Sequence, residues 1–127
     1  MTLDRSCALA AFAVALVVSA CASKPESLVS PKVVAGLELA PYAIHEECIA
    51  LRAGQRVGYR FKVEPAIAFN IHYREAGAVI MPLDEKRTGE EDGDFTADRE
   101  QAYCLMWEAG AAAAVLSYRL ERLPPRP

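Results

Sequence analysis

Enzyme chemistry needs a nucleophile beside a base, paired carboxylates, or a metal ion with an open position. The chain has two histidines, its only ready bases near neutral pH. His45 stands directly before Glu46-Glu47, and His72 stands between Asn70 and Arg74. His45, Glu46 and Glu47, with His72 brought in from a distance, would make a transition-metal donor set. However, neighbouring residues of a strand face opposite sides, so only one of the two glutamates shares a face with His45. No H-x-x-x-H or C-x-x-C spacing is present. The acidic run Glu90-Glu-Asp-Gly-Asp94 lacks the alternating register and terminal glutamate of an EF-hand, and reads as a solvated loop. Tyr59, Phe69, Tyr73, Tyr103 and Trp107 read as core packing rather than as the lining of a pocket. The expectation is therefore a non-enzyme with no cofactor and no assigned metal. A small metal-binding protein centred on His45 or His72 is an alternative.

The elements that must position these residues show mostly period-two alternation, the mark of half-buried strands. Val57, Tyr59, Phe61 and Val63 share one face of a strand, opposite Arg56, Arg60, Lys62 and Glu64. After Pro65-Ala66, read as a hairpin-like connection, Ile67, Phe69, Ile71 and Tyr73 alternate with Ala68, Asn70, His72 and Arg74. Further short strands are expected over 32–39, 44–51, 78–83, 95–97, 102–107 and 114–121, with 84–94 as an acidic loop. This predicts an all-β fold, a single antiparallel β-sandwich of about seven or eight short strands, jelly-roll-like in its connections. If the two alternating strands pair, Arg56, Arg60, Lys62, Asn70, His72 and Arg74 form one cationic-polar row. That row is the candidate binding face, suited to an acidic protein or an anionic glycan. The formal charge of −3 without a basic cluster leaves no footprint for nucleic acid.

The N-terminus carries the most specific signal. An apolar run from Ser6 to Ala20 is too short to span a bilayer and fits the core of an export signal. Val18-Ser19-Ala20-Cys21 resembles the lipobox of bacterial lipoproteins, in which the cysteine thiol takes a diacylglycerol. The resemblance implies cleavage before Cys21 and membrane attachment through acyl chains, each buried methylene contributing about 0.8 kcal/mol. Ala22-Ser23 does not resemble an inner-membrane retention signal, so the expected address is the periplasmic face of the outer membrane. The expected organisation is a signal peptide over 1–20, a lipidated tether over 21–41, the β domain over 42–122 and a Pro-rich tail over 123–127. Of four cysteines, Cys7 would leave with the signal and Cys21 would be acylated. Cys48 and Cys104 remain, and an oxidising compartment favours a disulfide between them. Two buried thiols or a metal site are the alternatives.

The span from Cys48 to Arg122 resembles the GOLD (Golgi-dynamics) domain, a luminal β-sandwich of eukaryotic cargo receptors. The elements that carry the resemblance are Cys48, Val57-Gly-Tyr-Arg-Phe61, Phe69-Asn-Ile71, Tyr103-Cys-Leu-Met-Trp-Glu108 and Leu116-Ser-Tyr118. It implies a bridge between Cys48 and Cys104 and a general role in protein–protein contact, and it does not carry over vesicle transport. The functional expectation is a non-catalytic, lipid-anchored periplasmic module that binds another envelope protein. A periplasmic inhibitor of lysozyme-type enzymes is the second binding reading.

Overall fold

The structure is a computed structural model and describes residues 25–127. The expected export signal, Cys7 and the expected lipidation site Cys21 lie outside the described residues. Six strands follow in order: β1 (Lys32–Leu39), β2 (Ile44–Leu51), β3 (Arg56–Glu75), β4 (Ala78–Thr96), β5 (Gln101–Glu108) and β6 (Ala114–Leu123). All pair antiparallel in one continuous sheet of order β1-β6-β3-β5-β2, with β4 on the other edge of β3.

The sheet curls into a half-barrel because β3 serves two neighbours along the same edge. Its first half, Arg56 to Glu64, pairs with β6, and its second half, Ala68 to His72, pairs with β5. Pro65 sits at the handover, where a residue without an N–H cannot continue the ladder. There β3 advances five residues, Lys62 to Ile67, while β4 advances two, Thr88 to Glu90. Extra residues on one strand of a pair bend it, and here they swing the β2–β5 arm over the β1–β6 arm.

Three expectations are corrected by this topology. In place of a sandwich of seven or eight short strands there is one curled sheet of six, two of them 20 and 19 residues long. The sequence predicts a connection at Pro65-Ala66, but the alternation on either side keeps one parity. Val57, Tyr59, Phe61 and Val63 are buried, and so are Ile67, Phe69, Ile71 and Tyr73. A strand can therefore continue past Pro65 with the same face inward. The expected acidic loop at 84–94 is also strand, because β3 offers it a partner from Glu75 back to Arg56. The tight turn between them, Ala76-Gly77, has φ of 51° and 81°, the all-positive pattern of a two-residue hairpin loop that suits right-twisted strands.

The core fills the concave side. Trp107 at its centre stacks on Tyr118 at 4.7 Å and meets the edge of Phe61 at 5.6 Å, with Phe69 at 5.5 Å. These rings come from β5, β6 and both halves of β3, so their burial fastens the two arms together. Full burial of each large apolar side chain is worth about 1.5–3 kcal/mol.

Candidate functional site

Polar side chains gather at two places, one on each face of β2. His45 and Glu47 point into the curl, whereas Glu46 and Cys48 point out of it. The potential donor set of His45, Glu46, Glu47 and His72 is thereby split between faces.

On the concave side, Glu47 is 8% exposed and collects partners from β1 and β6. Lys32 Nζ lies 2.7 Å from its Oε2, and the Tyr118 hydroxyl donates to the same oxygen at 2.7 Å. With its proton directed to Glu47, the Tyr118 oxygen accepts from His45 Nε2 at 2.9 Å. Glu26 adds a second carboxylate 3.5 Å from Lys32. Its own backbone bridges to β2, donating to Cys48 O and accepting from Ala50 N.

Lys32 reaches this cluster because of a bulge. Leu39 and Leu37 face inward opposite Ala114 and Leu116, and unbroken alternation would turn Lys32 outward. The register shifts between Val34 and Leu37, where Gly36 adopts φ +68° and donates its N–H to Ser117 Oγ at 2.9 Å. A glycine takes that conformation without steric cost. Past the bulge the inward parity is even, so Lys32 sits opposite Leu120 and enters the curl.

Tyr118 and Lys32 hold their protons more firmly than usual in this cluster, and His45 less firmly. Burial first, and then the Glu47 hydrogen bond, push the Tyr118 hydroxyl far above the ordinary tyrosine value. The contact with Glu47 raises the Lys32 ammonium, outweighing partial burial. Burial lowers His45 despite nearby Glu47. A tyrosine held this firmly in its neutral form is a weak acid, and its hydroxyl is engaged by both Glu47 and His45. The network ties β1, β2 and β6 across the mouth of the half-barrel.

On the convex side, pairing in β2, β5 and β3 lines up two rows: Cys48, Cys104 and His72, then Glu46, Met106 and Asn70. Cys48 and Cys104 form the disulfide, with 3.9 Å between their Cα atoms, and no free cysteine remains among the described residues. His72 is 2% exposed and Asn70 fully buried. Asn70 Nδ2 donates to Glu85 Oε1 at 3.5 Å, which turns its Oδ1 toward His72 Nδ1 at 2.8 Å. An amide oxygen can only accept, so Nδ1 carries the hydrogen, and in the neutral ring Nε2 then presents its lone pair. That nitrogen lies 3.3 Å from Glu46 Oε2 and has no hydrogen-bond partner among the described residues. Burial holds the His72 pKa below the ordinary histidine value.

The expected binding row is broken. Arg56, Arg60 and Lys62 lie on the part of β3 beside β6, while Asn70, His72 and Arg74 lie beyond the handover. Of the second group only Arg74 is exposed. The first group is matched by β4: Arg56 bonds Asp94 at 2.8 Å, Arg60 faces Asp92 at 3.6 Å, and Lys62 sits opposite Glu90. Open grooves run over this mixed-charge surface, one of about 390 Å³ beside Gly58, Asp92 and Arg119. Alternation correctly places all six side chains on one face of β3, but cannot tell which of them neighbouring strands will cover.

A scan against protein-family models and a search of curated proteins return no match. The class shown is an all-β antiparallel domain with a Cys48–Cys104 disulfide.

Proposed function

We propose that the chain is a non-catalytic, lipid-anchored module of the bacterial envelope that binds another protein by strand addition along β4. The observation that carries this reading is the free edge of β4. The strand is 19 residues long, pairs only with β3 among the described residues, and begins with exposed Val79, Ile80 and Met81. Edge strands are usually protected by charge or proline. From Pro82 onward β4 is so protected, by Asp84, Glu85, Lys86 and Arg87. The uncharged stretch before it is open to an added strand, with backbone pairing supplying affinity and the apolar side chains selectivity. The lipobox at Cys21 supports attachment at the periplasmic face of the outer membrane. The bridged cysteines agree with the GOLD-like reading, in which such a domain serves protein contact.

The test uses the full-length lipoprotein in intact envelopes, with a photo-crosslinking residue at Val79 or Met81. Val33 on β1 and Val115 on β6, also exposed and apolar, are the controls. A discrete protein adduct from Val79 or Met81, absent from the controls and abolished by Ile80→Lys, supports the reading. Equal adducts at all four positions, or none, overturn it. Cys21→Ser should abolish incorporation of a labelled fatty acid. Retained labelling would refute the anchor.

A further inference from the structure

We propose that reduction of the Cys48–Cys104 disulfide turns the convex face of the β2–β5–β3 arm into a four-donor site for a zinc-class metal ion. This goes beyond strand addition and rests on different residues. His72 Nε2, a Glu46 carboxylate oxygen and Cys104 Sγ already lie within 4.8 Å of one another. Cys48 is the cross-strand neighbour of Cys104 and supplies the fourth donor. Tetrahedral zinc holds such donors at about 2.0–2.3 Å, so closing on an ion needs side-chain adjustment and no change of register.

The second, independent observation is the state of His72. Its Nδ1–H is committed to Asn70, and Asn70 is fixed by Glu85. This leaves an unpartnered lone pair on a side chain 2% exposed, aimed at a carboxylate. Two acceptors facing each other at 3.3 Å make a natural place for a cation. Ligating histidines are commonly held by such an outer hydrogen bond, which sets the tautomer and the ring direction. In the disulfide state the sulfurs are neutral and weak donors, so the site is closed to metal by oxidation.

The redox step balances with an external dithiol as reductant. The dithiol gives up two electrons and two protons and becomes a disulfide, while the Cys48–Cys104 bond breaks to two thiols. Binding of a divalent ion then displaces two protons and gives two metal–thiolate bonds. Two thiolates with one imidazole favour zinc over calcium or magnesium, which prefer all-oxygen shells.

The experiment takes the full-length protein in detergent, oxidised or reduced by a dithiol that is then removed, and titrates it with Co2+ as a spectroscopic stand-in for Zn2+. The reduced chain is expected to bind one ion with the intense visible bands of a tetrahedral thiolate site, and the oxidised chain none. His72→Gln should weaken binding at least tenfold and alter the bands, and Asn70→Ala should weaken it about 10–100-fold as an outer-shell change. Near-UV circular dichroism of Trp107 reports folding in every sample. Equal binding by both redox forms, unchanged binding in His72→Gln, or loss of the Trp107 signal on reduction would each overturn the proposal.

Discussion

Replacing Tyr118 with phenylalanine removes one oxygen from the concave cluster and leaves the ring on Trp107 in place. The lost hydroxyl donates to Glu47 at 2.7 Å and accepts from His45 at 2.9 Å. A hydrogen bond to a charged group is worth about 1.5–3 kcal/mol when its partner stays buried. Glu47 keeps Lys32, and partly exposed His45 can turn to water, so the expected cost is about 2 kcal/mol. At roughly 4 °C per kcal/mol for a domain near 100 residues, the midpoint should fall by about 8 °C. Trp107 is the only tryptophan and is wholly buried, so urea unfolding followed by its fluorescence reads the domain directly. Glu47→Gln and the double variant complete a cycle. A shared network predicts that the double variant costs less than the sum of the single changes, by about 1 kcal/mol or more. A Tyr118→Phe cost under about 0.5 kcal/mol, or strict additivity, would refute the cluster as a brace between the arms.

Joint replacement of Cys48 and Cys104 by serine opens a loop of 56 residues and should cost about 4 kcal/mol, or roughly 16 °C in thermal midpoint. A midpoint unchanged from that of the oxidised chain would contradict this. Alkaline pH should destabilise the fold. Contact with Glu47 raises Lys32 above 10.5, and burial raises Tyr59, Tyr103 and Tyr118 above 10.0, so the folded chain keeps protons that the unfolded chain sheds. Their stabilisation is complete below about pH 10 and is lost as pH rises through the folded values; denaturant midpoints at pH 8 and 11 should show it, with a smaller drop in Tyr118→Phe. Ala76 occupies a left-handed position that asparagine tolerates better, so Ala76→Asn should stabilise by about 0.5–1 kcal/mol, and a loss in urea midpoint would count against the turn assignment.

Strand character was legible because alternation is local. The inward set from Val57 to Tyr73, the inward Tyr103, Leu105 and Trp107, and the cysteine pair are all visible in the order of residues. The same alternation held an unused clue, since parity is unbroken across Pro65 and a hairpin there was not required. The acidic stretch of β4 could not be recognised as strand by its own pattern. An edge strand with little buried surface needs no alternation, and it forms because β3 lies beside it. Lys32 beside Glu47 depends on one extra residue at Gly36 and on an arm that closes from elsewhere in the chain. Burial of Asn70 and His72, whose types alone suggest a solvated face, depends on β5, β2 and Glu85 covering them. The residues by themselves determined which sides of the alternating strands are apolar. The tertiary structure decided which polar groups meet, because pairing and curling bring together positions that no local pattern connects.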